Sequence, residues 1–453
     1  MKIVIAGVGK IGYNLAEQLY KNNNVTVIDK DAKIIDNIIN IFDVIGFCGS
    51  ASDYKIQVEA GVGSADLLIA STDSDETNIL ACLIGKKLGV AHTIARIRDP
   101  QNEDMLHFMY KELGLSMAIN PEKAAAREIS RVLRFPDAVK VETFCGGKLE
   151  LVQYKIPEGS ILDGVKLCNI YSITHTRILI CAVTNSIETI IPSGNHILKA
   201  GDTIFLSATP YNLSKFFIQL GTFRKKASSV ILVGASKICH YLAQEIVSMG
   251  MSVKIIDADE EKCIEICEKI PGITAIVGDG NDMDLLIEEG IGITDAFVAV
   301  TDSDEANILM SLSVADMFKH CKVVAKLKRK ETISFVTRTE LIDSIISAGT
   351  VTSEIILQYV RAMQNASSGN IRSLHHLADG KIEALEFNVP EDANSVGKKL
   401  SELNFKAGIL LAGIARKNGQ ILIPSGDDAI MANDRIIVVT TLSDINDIRD
   451  IFN

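Results

Sequence analysis

Glycines at positions 7, 9 and 12 directly follow the apolar run Ile3–Ala6, and Asp29 closes the next apolar run, Val25–Ile28. In a strand–turn–helix setting Gly7 permits the tight bend, Gly9 lets backbone N–H groups approach a pyrophosphate, and Gly12 allows the helix to pack closely on the strand. Val8, Lys10 and Ile11 complete the turn, and the helix N-terminus adds positive potential for phosphate. The spacing from Gly7 to Asp29 suits a carboxylate accepting from both ribose hydroxyls. It would repel a 2′-phosphate, so the motif predicts NAD(H) rather than NADP(H). Thr72 and Asp73 follow the apolar run Leu67–Ala70, at the end of the strand where such sheets bind ligands. They are expected to line the ribose or adenine, to begin a helix as caps, or both. Arg96 and Arg98 alternate on the run Thr93–Ile97, so one of the two is expected to face a phosphate.

Catalytic groupings are missing beside this turn. The sequence holds no Walker A lysine motif, no Gly-x-Ser-x-Gly elbow and no convincing triad. The one Tyr-x-x-x-Lys match, Tyr211 and Lys215, lies far from the glycine turn and reads as chance. Nine cysteines, an odd number without a C-x-x-C pair, argue against a zinc or redox site. Cys263 and Cys267, four apart on an expected helix, read as packing residues. No metal site and no catalytic residue is assigned, and the chain is expected not to be an enzyme.

The elements that would position the turn occur twice. Thr72-Asp73-Ser74-Asp75-Glu76 with Asn78 returns in the second half as Thr301-Asp302-Ser303-Asp304-Glu305 with Asn307. At nearly the same offset Gly7 matches Gly234, Asp29 matches Asp257, Gly49 matches Gly278, and Ile-Pro-Ser-Gly stands at both 191–194 and 423–426. Each copy alternates apolar runs with helical patterns, the signature of an α/β doubly wound parallel sheet. A helix opened by Asn120-Pro121 and ending near Pro136 leads out of the first sheet. A small β-rich lobe follows, and the second copy repeats the plan with a helix over Thr352–Met363. The expected divisions are 1–135, a Rossmann-like lobe with its exit helix; 139–222, a β-rich α+β lobe; 228–363, a second Rossmann-like lobe; and 370–453, a second β-rich lobe. Polar breaks are expected at Gly221–Ser229 and Gln364–Asn370.

The second turn is degenerate. It reads Gly234-Ala235-Ser236-Lys237-Ile238-Cys239, with Ser236 and Cys239 where the first copy has Gly9 and Gly12. The added atoms are expected to crowd a pyrophosphate and push the helix off the strand. Gly234, Ser236, Asp257, Thr301 and Asp302 therefore form a weaker or altered second site.

The 453 residues exceed what one core supports. With 46 Lys+Arg against 57 Asp+Glu the net charge is −11, which argues against nucleic acid as a partner and against anionic lipid surfaces. No stretch free of charges and turn signals is long enough to span a bilayer, and the first residues lack the pattern of a signal peptide. The expected location is cytoplasmic.

The two lobes, carrying Cys48-Gly49-Ser50 and Gly278-Asp279-Gly280, then Ala60-Gly61-Val62 and Glu289-Gly290-Ile291, the Thr-Asp…Asn block and the Ile-Pro-Ser-Gly lobe, resemble the RCK (KTN) regulatory domains. A free tandem of such units is similar to the peripheral regulatory subunits of Trk potassium-uptake systems. The resemblance implies a homo-oligomeric ring, a dimer or tetramer of chains, beneath a membrane-embedded potassium transporter of the TrkH/TrkG type. It implies NAD at Gly7–Gly12, Asp29, Ser50, Thr72, Asp73 and Arg96, with ATP or ADP competing for the same cleft, and an inter-subunit role for Glu122. Rival readings are an NAD-dependent oxidoreductase and a nucleotide sensor serving another transporter.

Overall fold

The computed structural model describes residues 1–98, 110, 114–134, 138–185, 188–220, 227–339, 341–366, 371–378, 381–442, 445 and 447–453. The expected linker at 221–226 and the break at 367–370 lie outside them.

Strands β1 (Lys2–Ala6), β2 (Asn24–Asp29), β3 (Ile45–Cys48), β4 (Leu67–Ala70), β5 (His92–Arg96) and β6 (Met117–Ile119) form one sheet in the order β3-β2-β1-β4-β5-β6. All its pairings are parallel. Its central strands are apolar because helices cover both faces, leaving no solvent side for polar residues. The order reverses between β1 and β4, which opens a crevice at their carboxyl ends.

Strands β7 (Ala138–Phe144), β8 (Leu149–Lys155), β9 (Leu179–Thr184), β10 (Thr189–Ile190) and β11 (Thr203–Ala208) form an antiparallel sheet, ordered β10-β9-β11-β8-β7. The second copy repeats both. Its parallel sheet runs β14-β13-β12-β15-β16-β17, from β12 (Ser229–Val233), β13 (Ser252–Asp257), β14 (Ile273–Val277), β15 (Ala296–Ala299), β16 (Lys322–Lys326) and β17 (Ser344–Ile346). Its antiparallel sheet joins β18 (Ile371–Leu377), β19 (Ile382–Asn388), β20 (Ile409–Ala415), β21 (Ile421–Leu422) and β22 (Arg435–Thr440) in the order β18-β19-β22-β20-β21.

The exit helices cross between copies. The first, Pro121–Arg134, is capped by Asn120, whose Oδ1 accepts from Lys123 N at 2.9 Å. Its apolar stripe, Ala125, Ala126, Ile129, Val132 and Leu133, lies in the core of the second parallel-sheet lobe, against the helix Lys237–Ser248. The second exit helix spans Ala348–Ala366, longer at both ends than the expected Thr352–Met363. Its Ile356, Leu357 and Val360 enter the core of the first lobe, which also holds residues of the first helix, Lys10–Leu19. Each buried aliphatic side chain of this kind contributes about 1.5–3 kcal/mol, so the exchange joins the copies strongly.

The β-rich lobes meet face to face. Phe144, Leu149, Leu151, Cys181, Ala182 and Phe205 of the first share one core with Leu377, Ile382, Ala384, Ala412, Ile437 and Val439 of the second. Ser207 Oγ donates across this junction to the Ala412 carbonyl at 2.8 Å.

Candidate functional site

The first glycine turn is built from backbone contacts. Gly7 has a φ of +95°, and an added Cβ there would lie 2.6 Å from Thr72 N. A Cβ on Gly12 would lie 2.0 Å from the Gly7 carbonyl oxygen, whereas one on Gly9 meets nothing within 4 Å. Gly7 and Gly12 are thus required by the turn itself, while the space over Gly9 is open. Gly9 is also the N-cap of the first helix and supplies no side-chain hydrogen bond, so the first-turn N–H groups are not capped by its side chain.

Asp29 braces this turn from below. Its Oδ2 accepts from Val8 N at 2.7 Å and its Oδ1 from Asp31 N at 3.0 Å. Ser71 Oγ donates to the Gly7 carbonyl at 2.9 Å. In the second turn Asp257 repeats the bracing, accepting from Ala235 N at 2.6 Å and Asp259 N at 2.9 Å. Val300 stands where Ser71 was, and the hydroxyl has moved to Ser236, which donates to the Val300 carbonyl at 2.9 Å and accepts from Cys239 N at 3.4 Å. Ser236 therefore occupies one of the N–H groups that a phosphate would use. Cys239 is fully buried, with its thiol pKa raised by burial. The contact that closes tightly at Gly12 has to open for its side chain. The second helix still begins at Lys237, directly after Ser236 as its N-cap.

The Thr-Asp…Asn blocks tie strand ends together. Asn78, fully buried, accepts from Thr72 N at 2.8 Å and Thr72 Oγ1 at 2.7 Å, and donates to the carbonyls of Thr72 and Arg96. Asn307 does the same for Thr301 and the Lys326 carbonyl. Ser74 and Ser303 cap the following helices by accepting from Thr77 N and Ala306 N. The capping role of the block is therefore present, and Asn78, Asn307, Asp75 and Asp304, which in the sequence only mark the repeat, are structural residues. Asp75 accepts from Arg98 N at 2.9 Å, and Asp304 from Lys328 N and Arg329 N.

Both arginines reach one acceptor residue, contrary to the expected alternation. Arg96 Nη1 stands 3.3 Å from the Thr72 carbonyl and 3.5 Å from Asp73 Oδ1, and Arg98 donates to the Asp73 carbonyl. Strand β5 ends at Arg96, so the pleat no longer sets the direction of Arg98. In the second copy Lys326 and Lys328 repeat the convergence on Asp302 at 3.4 and 3.0 Å. The repeat offset locates these lysines in the sequence once the arginines are chosen. Burial is the main cause lowering the pKa of both Arg96 and Lys326. The Lys328 hydrogen bond holds Asp302 below the ordinary carboxylate range.

The two turns open on one cleft of about 1590 Å³. Gly9, Lys10, Ile11, Asp73 and Arg96 line it from the first copy, with Glu122 from the first exit helix. Gly234, Ser236, Asp257, Thr301, Asp302 and Lys326 line it from the second. Glu122 lies within electrostatic reach of both Arg96 and Lys326. Glu122 Oε2 and Arg96 Nε are buried without a hydrogen-bond partner among the described residues. Lys330 reaches across from the second copy to Glu17, at 2.8 Å. Basic side chains, uncapped helix N–H groups and an open space over Gly9 together suit a phosphate-bearing ligand.

Other expected residues fall outside this grouping. Gly7, Val8 and Gly12 are buried in the turn, and Thr72 is engaged with Asn78. Ser50 is exposed beyond β3, 3.1 Å from Ser52 Oγ. Tyr211 and Lys215 sit on the helix Pro210–Gln219 of the first β-rich lobe, where the ammonium lies 4.9 Å from the ring centroid. Cys263 is buried, but Cys267 is exposed: the buried stripe of their helix runs through 263, 266 and 270 and leaves 267 at its edge.

Comparison with known proteins agrees with this architecture. The TrkA-N domain matches residues 3–121 and 230–348, and the TrkA-C domain matches 151–221 and 384–453. The chain is 31% identical to the "Trk system potassium uptake protein TrkA homolog" of Archaeoglobus fulgidus over 100% of both chains. It is 29% identical to the "Trk system potassium uptake protein TrkA" of Haemophilus influenzae over 95% of each. The fold resembles that of the "GsuK channel bound to NAD", with a TM-score of 0.63 and 18% identity, over 97% of this chain and 76% of that one. Among the described residues no helix is long and apolar enough to cross a membrane. With two TrkA-N and two TrkA-C domains in alternation along its length, the chain belongs to the TrkA family.

Proposed function

We propose that this chain is a cytoplasmic regulatory subunit that gates a membrane-embedded potassium transporter. It binds NAD(H) at the first glycine turn, with ATP or ADP competing, and is not itself a catalyst. The observation that carries the reading is the shared cleft: both turns, Arg96, Lys326 and Glu122 face one space between the copies. A ligand there would touch both copies at once. Family membership supports potassium uptake as the process served.

In this reading the first-turn N–H groups and Arg96 hold the pyrophosphate, while Asp29 accepts from the ribose as it braces Val8. Thr72, Asp73 and Ser50 border the nucleoside. NAD supplies two phosphates and a ribose pair to recognise, and no chemical step follows. The second turn is the weaker site, since Ser236 occupies an N–H group and fills space that Gly9 leaves open. Glu122, set between two cations from different copies, repels or releases as phosphate arrives. A ligand shifts such an arrangement only by binding its two states unequally, with a coupling of about 1–3 kcal/mol. Chains associate as a dimer or tetramer ring, which carries the change to the membrane partner.

Titration with NADH by calorimetry tests the assignment. Gly9→Val is expected to weaken binding by about tenfold or more without harming the fold, because the Cβ space is open to the protein and closed only to the pyrophosphate. Wild-type affinity in that variant would refute the site. NADH recovered unchanged after prolonged incubation, together with a nucleotide-dependent scattering profile, is the expected outcome for a regulator.

A further inference from the structure

Equivalent positions of the two β-rich lobes meet at the junction between them. The hairpins share a register: Glu142 pairs with Leu151 across β7–β8, and His375 pairs with Ala384 across β18–β19. Both hairpins turn through a non-glycine residue of positive φ, Cys145 at 53° and Ala378 at 49°. Both then read Gly-Lys-(Leu/Ile)-Glu, at 147–150 and 380–383. Glu142 and His375 are therefore the same position of the two copies.

These two residues touch each other. His375 Nδ1 lies 2.7 Å from Glu142 Oε2, with both side chains about one-tenth exposed. Gln358 of the second exit helix lies 3.1 Å from the same ring nitrogen, and the Phe144 ring meets the imidazole edge-on at 4.7 Å. Where two identical units pair about a two-fold axis, the axial residue meets itself. Here the residues that meet hold equivalent positions but differ, and they are chemically complementary. Nearby, Glu386 accepts from Cys145 N at 3.2 Å and pairs with Arg435 at 3.1 Å. The equivalent of Glu386 in the first copy is Gln153, which carries no charge. The junction is thus polarised, with unlike groups at the equivalent positions 142/375 and 153/386.

We propose that Glu142 and His375 act as a pairing key that matches the first β-rich lobe to the second and rejects either lobe paired with its own kind. A first-with-first match would set carboxylate against carboxylate in a buried junction. A second-with-second match would set imidazole against imidazole without the carboxylate acceptor. Like groups so placed disfavour the wrong pairing, as unlike groups favour the right one. The partner selected by this surface is the other half of the same chain, so it is not the surface through which a second chain attaches. This holds whichever nucleotide the cleft takes.

The test uses the full chain and hydrogen exchange of the segment 142–146, whose Cys145 amide is bonded across the junction. His375→Glu and Glu142→His each create a like pair and are expected to speed exchange by about tenfold. The exchanged double variant, Glu142→His with His375→Glu, restores unlike partners and is expected to return the rate to within about twofold of wild type. Unchanged exchange in both single variants would overturn the proposal. Loss of protection that the double variant does not recover would overturn it too, since that marks a packing position indifferent to chemistry. Should His375→Glu fail to fold, Glu142→Gln decides by the same measurement: faster exchange supports the key, and a wild-type rate overturns it.

Discussion

At the residue scale, the cleft's charge is set by a few groups that burial and neighbours hold away from their ordinary behaviour. His240 lines the cleft from the second copy. Burial first, and then the Lys269 ammonium, lower its pKa beneath the ordinary imidazole value of 6.5. The folded chain therefore favours neutral His240, while the unfolded chain binds the proton more readily. Its contribution to stability is full above pH 6.5 and is lost as pH falls below that value toward the folded-state pKa. Urea midpoints measured between about pH 5 and pH 8 are expected to fall on acidification, and His240→Asn is expected to flatten part of that fall. An equal slope in the variant would assign the acid sensitivity elsewhere. Asp29 plays two parts at once. Its two backbone bonds make it a structural brace as well as a candidate ribose acceptor, so its removal disturbs the turn together with any ligand contact.

At the element scale, the exit helices decide what counts as a folding unit. Each is amphipathic, so one face has to be buried, and each buries it in the other copy. Ile129 is fully buried in the core of the second parallel-sheet lobe although it belongs in sequence to the first. Ile129→Ala is expected to cost about 2–5 kcal/mol. Its first effect should appear as faster hydrogen exchange in strands β12 and β13, not in β1 and β2. Leu357→Ala should do the reverse, loosening β1 and β2 from the second exit helix. Exchange confined to the parent copy in either variant would show that the helices do not couple the copies in solution. Both helices start at the shared cleft and lead to the β-rich lobes, so they join the proposed ligand site to those lobes.

At the scale of the whole molecule, large apolar side chains left exposed bear on the proposed ring. Leu309, Phe335 and Leu341 of the second copy are 62%, 64% and 59% exposed. Leu309 lies on the helix Asp304–Met317 and Phe335 on the helix Lys330–Thr339; both helices pack into the same core on one side of the sheet. The first of them buries the polar Asn307 and Ser311 on its inner face and leaves Leu309 on its outer one. Exposed apolar groups of this size are where the proposed assembly of chains would bury surface. Leu309→Asp with Phe335→Asp is expected to lower the molar mass seen by light scattering toward that of one 49.1 kDa chain while leaving NADH binding intact. Unchanged mass would rule these residues out of a contact between chains.

Much of this was legible in the sequence. Continuous apolar runs and helical patterns mark the strands and helices, the glycine spacing marks the turn, and the return of the Thr-Asp…Asn block at a fixed offset declares two copies. These are local properties, set by backbone sterics and by the need of each element to bury one face. The helix start at Asn120-Pro121 is legible for the same reason, since a cap is a contact within one turn. What covers each buried face is not local. The stripe at Ala125, Ile129 and Val132 states that burial is required and is silent on whose core receives it. The convergence of Arg96 and Arg98 on Asp73 depends on where β5 ends, and the meeting of Glu142 with His375 depends on how two separately folded sheets come together. Only the tertiary structure decided these, because hydrophobic burial has no direction along the chain, and the partner is chosen by shape and charge between segments that lie in opposite halves of the sequence.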